Sequence, residues 1–132
     1  MAKRVQLHKL VQQAERLGSH NPIRPCRAQL ESIYDSINRA VFAGALNRPK
    51  FKLSSDPSFW GEIEVGHKIN RWGERQTICI RFAREFPSMK SMINTMAHEM
   101  VHQWEWERND NFTHGQAFYA WNERLADRGL KI

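Results

Sequence analysis

Residues 88–106 constrain the fold of this 132-residue chain more than any other stretch. Pro87-Ser88 closes the segment before them. From there Met92, Ile93, Met96, Met100, Val101 and Trp104 return at the 3.6-residue spacing of a helix and form one broad apolar arc. His98 and His102 fall outside that arc, on a stripe with Ser91, Thr95 and Glu105. The pattern predicts a helix whose apolar side packs on a core while both histidines face a cleft. The chain is long enough to supply that core, since a protein of this size buries roughly two thirds of its unfolded surface. With 41% apolar and 26% charged residues, the composition is that of one soluble globular domain over residues 1–132. A basic N-terminal helix and linker would occupy residues 1–27 and the core residues 28–126.

Within the predicted helix, His98-Glu99-Met100-Val101-His102 is the H-E-x-x-H pattern. Side chains four apart on a helix stand one above the other, with Cβ atoms about 5–6 Å apart. Two imidazoles at that spacing can converge on one zinc ion at about 2.0–2.1 Å. Glu99, rotated about 100° from His98, sits where it can take a proton from water beside the metal. With six His and ten Glu in the chain, about 0.02 such matches are expected by accident. A zinc ion that keeps one position open needs a third protein ligand. His114, in Thr113-His114-Gly115-Gln116, and Glu123, in Asn122-Glu123, are the two choices. A final helix over 115–127 puts Ala117, Phe118, Trp121 and Leu125 on one side, and His114 extends that side. Glu123 lies about 180° around the helix from His114, so His114 is preferred. Asn109-Asp110-Asn111 makes the turn between the two helices, and Gly115 lets backbone approach closely.

The remaining elements are short. Leu7, Leu10, Val11, Ala14 and Leu17 share one face of a helix over 3–17 that Gly18 ends, with Lys9, Gln12, Gln13 and Arg16 opposite. Leu30, Ile33, Tyr34, Ile37 and Val41 stripe a second helix over 27–43, ended by Gly44. Lys50-Phe51-Lys52-Leu53, Glu62-Ile63-Glu64-Val65 and Thr77 to Phe82 alternate as strands, the last with Ile78, Ile80 and Phe82 inward. His67 shares the face of Ile63 and Val65 if its strand stays regular. The fold class expected is α+β, with a small, mostly antiparallel sheet packed on helices.

Charge and composition bound the function. No stretch approaches the roughly 18 apolar residues of a membrane span, and the basic N-terminus lacks the apolar core of a secretory signal. Two cysteines, Cys26 and Cys79, make neither a disulfide framework nor a four-cysteine zinc ribbon. The expected compartment is therefore the reducing cytoplasm, with no membrane partner. The net charge of +6 is uneven: residues 1–30 carry six Lys/Arg against one acid, and residues 71–90 carry five against two. Lys9 and Arg16 are candidate phosphate contacts, and Trp60 and Trp72 candidate stacking platforms for single-stranded DNA, in which case the protein would associate with the nucleoid. The same charge also serves solubility alone.

The pairing of His98-Glu99-Met100-Val101-His102 with His114-Gly115-x-x-Phe118 resembles the SprT-like (Spartan-type) zinc metalloprotease domain. Ile37 to Leu46 is similar to the family's helix ahead of the sheet, and Thr77 to Phe82 to its strand before the catalytic helix. The resemblance covers roughly residues 28–126. It implies a minimal zincin-like protease core and, as in eukaryotic members, cleavage of proteins crosslinked to DNA. It also implies one zinc ion per chain on His98, His102 and His114, with Glu99 as general base and then proton donor to the leaving amine. Substrate would lie extended along a sheet edge, and His67 and Tyr119 are candidate oxyanion or substrate contacts. Two other readings fit the residues: a small metalloprotease indifferent to DNA, and a non-catalytic zinc-stabilised nucleic-acid-binding module. Glu99 argues against the module, because a structural site is normally closed by four protein ligands.

Overall fold

The computed structural model describes residues 5–56, 58–69, 75–109 and 116–132. Four helices and three strands follow in the order α1 (Leu7–Leu17), α2 (Arg27–Val41), β1 (Lys50–Ser54), β2 (Gly61–Ile69), β3 (Arg75–Ala83), α3 (Met89–Asn109) and α4 (Gln116–Ala126). This is an α+β fold. Among the described residues no helix is long and apolar enough to cross a membrane.

The sheet has the order β1-β3-β2. β2 and β3 form the antiparallel hairpin expected of neighbours in sequence, with Gly61 opposite Phe82 and Ile63 opposite Ile80. β1 pairs with β3 and runs parallel to it, with Phe51 opposite Ile80 and Leu53 opposite Phe82. The sheet is therefore mixed, where a mostly antiparallel one was expected. The chain leaves β1, passes to the far side of β3 to form β2, and returns through the hairpin, so β1 and β3 point the same way. β3 is the central strand, and each of its faces carries a buried side chain. Ile80 and Phe82 face the helices, while Cys79 is buried on the other face. There the Cys79 thiol donates to Glu64 Oε2 at 3.2 Å and Arg81 donates to the same oxygen at 2.7 Å. Those two contacts hold the Glu64 carboxyl below the usual carboxylate range.

α3 crosses the inner face of the sheet. Ser88 caps it, its Oγ accepting from the Ser91 amide at 3.1 Å. Met92, Ile93, Met96, Ala97, Met100 and Val101 are buried, as the apolar arc required. Burial goes further than the arc, however, since Glu99, His102, Gln103 and Glu105 are also buried. α2 presents Leu30, Ile33, Tyr34 and Ile37 to the same core. It stops at Val41, two residues before the expected end, because Asn38 takes over. The Asn38 side chain donates to the Leu46 carbonyl at 2.8 Å and accepts from the Leu46 amide at 3.1 Å. The chain reverses there through Ala43 and Gly44, at φ of 53° and 76°. α1 starts at Leu7, with Gln6 extended at its N-terminus. It buries Leu7, Leu10 and Ala14, but Leu17, in its last turn, is 42% exposed and lies beyond the packing contact. α4 seats Phe118, Trp121 and Leu125 in the core, with Trp121 against Phe42 and Trp104 at ring distances of 4.7 and 5.1 Å.

One buried polar network ties α2, α3 and the loop before β1. Tyr34 donates its hydroxyl to Gln103 Oε1 at 2.7 Å. Gln103 Nε2 donates to the Asn47 carbonyl at 2.8 Å and to Glu107 Oε1 at 3.1 Å. Burial pushes the Tyr34 hydroxyl far above the usual phenol range, so it remains a donor. Tyr34→Phe keeps the ring and strands the Gln103 oxygen without its donor. We expect a loss of about 1–2 kcal/mol, read as a lower melting temperature. An unchanged melting curve would mean that the network contributes nothing.

Candidate active site

Helical geometry on α3 brings His98 and His102 together. Their Nε2 atoms are 3.1 Å apart, with ring centroids 4.7 Å apart and planes at 79°. Phe118 of α4 closes over both, its ring 5.1 Å from each and nearly parallel to that of His102. His102 is 8% exposed, and its Nδ1 lies 3.2 Å from Oε1 of Glu105. A proton on Nδ1 shared with that carboxylate leaves the Nε2 lone pair facing His98. A 3.1 Å contact suits an N–H···N hydrogen bond, and it also suits two lone pairs converging on a cation. Donors 2.0–2.1 Å from a tetrahedral metal stand about 3.3 Å apart, close to the spacing found. The residue types and their spacing thus fit a zinc ion.

Glu99 projects from the same helix and is 5% exposed. Burial pushes its carboxyl up to about 7, and the nearby charge of Glu62 adds to the effect. Its position is fixed by the start of β2. A Cβ on Gly61 would meet Thr95 Cγ2 at 2.7 Å, Glu99 Cγ at 3.0 Å and Glu99 Oε1 at 3.3 Å. The strand backbone therefore lies directly on the glutamate, which only glycine permits. Beside it opens a cleft of about 280 Å³ bordered by Trp60, Gly61, Thr95, His98 and Glu99.

The other candidates are placed as follows. His114 and Trp72 lie outside the described residues. Among the described residues no group of three or more His, Cys, Asp or Glu is arranged to hold a metal ion. Glu123 is exposed on α4 and joins no such group. Tyr119 is exposed beside Phe118, with ring centroids 6.0 Å apart. His67 lies in β2, in the stretch where pairing with β3 is irregular. The register shifts between Glu64 and Val65 and again between Val65 and Ile69. Lys9 and Arg16 are exposed on α1. Trp60 is exposed at the rim of the cleft.

Two residues with a direct bearing on the site escaped the sequence reading. Glu105 was placed on the histidine stripe without a role, although a carboxylate three residues after a histidine on a helix is within reach of its ring. Gly61 gave no signal, because its contact with Glu99 is made across the fold. Gly61→Ala should overpack the site and lower stability by about 1–3 kcal/mol. Thr95→Ser, which removes the nearest methyl, should recover part of that loss in the double variant. Thermal melting of the two single variants and the double variant checks this, and strict additivity would mean that the contact is not the cause.

The sequence model of the SprT-like family matches residues 30–132, which takes in α2 from Leu30 onward and every later element. No curated protein and no solved structure matches the chain.

Proposed function

The chain belongs to the SprT-like family, a metallopeptidase-like family, and from that premise we propose that it is a zinc-dependent endopeptidase. The observation that carries the reading is the convergence of the His98 and His102 Nε2 atoms at 3.1 Å beside the buried Glu99. His98, His102 and His114 would hold the metal as neutral imidazoles. When bound, zinc supplies a Lewis acid for the scissile carbonyl and acidifies a neighbouring water.

The chain's own residues supply the rest. Glu99, buried on the same helix beside His98, takes a proton from the attacking water and passes it to the leaving amine. Glu105 fixes the His102 ring through Nδ1, the usual way an outer carboxylate orients a ligand. Substrate would be held by β2, an edge strand among the described residues. The Ala83 amide donates to the Trp60 carbonyl at 2.8 Å, which sets the alternation of the ladder. Gly61 and Ile63 therefore turn their amide and carbonyl groups away from β3, free to pair with an extended peptide. Those residues lie beside α3, so the peptide would pass Glu99. Tyr119, exposed next to Phe118 on α4, and His67, on the same strand as Gly61, remain candidate substrate contacts.

The purified protein should bind one zinc ion. His98→Ala, His102→Ala and His114→Ala should each lose metal affinity, while Glu123→Ala should keep it. Glu99→Gln should keep zinc and fold yet lose peptide cleavage by about 10²–10⁴. Metal titration together with digestion of an unfolded protein decides the matter. Near wild-type cleavage by Glu99→Gln would refute the mechanism.

Lys9 and Arg16, exposed and seven residues apart on one face of α1, support the further proposal that the substrates are proteins held on DNA. Such contacts would bind phosphate without reading sequence, and binding should weaken steeply with salt. Lys9→Ala with Arg16→Ala should lower DNA affinity for all sequences alike, as read by fluorescence anisotropy at low salt. If neither single-stranded nor duplex DNA binds at micromolar protein, the DNA-linked reading falls and a general metalloprotease remains.

A further inference from the structure

Among the described residues three large apolar side chains stand exposed: Leu17, Trp60 and Tyr119. Trp60, 54% exposed, borders the cleft that ends at Glu99. Its indole stacks, offset and tilted, on the buried ring of Phe86, with centroids 5.7 Å apart and planes 29° apart. A surface tryptophan ordered in this way loses little further freedom when a ligand covers it. The cleft, about 280 Å³, is below the roughly 300–1,000 Å³ of a pocket for a whole small molecule. It has room for a large side chain. Trp60, Thr95 and Ile132 border it, Gly61 adds bare backbone, and His98 and Glu99 line it too.

The sheet gives the cleft a direction. β2 starts at Gly61 and runs to Ile69. A peptide paired antiparallel to its open edge runs the opposite way, so the C-terminal half of the peptide lies toward Gly61 and Trp60. We propose that the cleft receives the substrate residue on the carboxyl side of the scissile bond and selects a large apolar side chain there, with Trp60 as the specificity-determining residue. The proposal rests on the endopeptidase reading. Lys131 also borders the mouth, which would favour an acidic side chain. Trp60, Ile132 and the Thr95 methyl border the same space, so the apolar occupant is favoured.

The test uses the full chain loaded with zinc. Fragments of an unfolded protein such as casein are mapped by mass spectrometry, and Leu, Phe and Met should be enriched immediately after the cuts. In matched peptides, Leu at that position should be cleaved about tenfold better than Ala, by kcat/KM. Trp60→Ala should bring the ratio close to one, and Trp60→Tyr should keep most of it, with zinc content and melting temperature checked in both. A flat wild-type profile, enrichment only before the cut, enrichment of Asp and Glu after it, or an unchanged ratio in Trp60→Ala each overturns the subsite. If the zinc-loaded wild type cuts nothing, the endopeptidase reading falls and takes the subsite with it. Cleavage with a flat profile removes the subsite alone.

Discussion

The burial of α3 governs the rest of the molecule. A helix laid between a sheet and three other helices has almost no solvent face, yet this one carries Glu99, His102, Gln103 and Glu105 within seven residues, all of them buried. A polar group taken out of water without a partner costs a few kcal/mol, and a charged one costs more. Each of these side chains must therefore find its partner inside the fold. Gln103 finds Tyr34, Asn47 and Glu107 on one side. His102 finds Glu105 and His98 on the other. The two sets have opposite consequences. The first is closed by hydrogen bonds and locks the rotation of the helix against α2. The second leaves ring nitrogens facing each other and a carboxyl that burial has brought near neutrality.

The mixed sheet decides what that second set can meet. With β1 placed parallel on the far side of β3, β2 is left at the edge on the side of Glu99. An all-antiparallel meander would have put β2 in the centre and spent its amide groups on its neighbours. Here the ladder consumes the backbone groups of Trp60 and its alternates and leaves those of Gly61 and Ile63 outward. Gly61 then serves two purposes at one position. Its missing side chain lets the strand touch Glu99, and its backbone is one of those left open at the edge.

Periodicity made the helices legible because they are amphipathic and their apolar stripes match the core. Leu30, Ile33, Tyr34 and Ile37 of the α2 stripe and Phe118, Trp121 and Leu125 of the α4 stripe are buried as read, while Val41, at the end of α2, is only partly so. The error at Leu17 has a simple cause, in that a stripe continues in sequence beyond the point where its neighbour ends. The pairing of His98 with His102 was legible because it depends on helix geometry alone. The parallel β1–β3 pair was not, since alternation marks a strand without naming its partner. Nor were the register shifts between β2 and β3 after Glu64. Contacts made across the fold, such as Gly61 on Glu99 and Trp60 on Phe86, have no periodic signature at all.

Glu105 shows how the fold and the proposed chemistry support each other. At 2% exposure its carboxylate has lost nearly all contact with water. Sharing the His102 Nδ1 proton offsets part of that loss. On the endopeptidase reading, a cation on the other nitrogen of the same ring draws electron density through the imidazole and makes Nδ1–H a better donor. Metal and carboxylate then stabilise one another through a ring that neither of them touches at the same atom. A neutral side chain at position 105 would remove the burial cost and that support together, so the acid is better explained by the ring it holds than by packing.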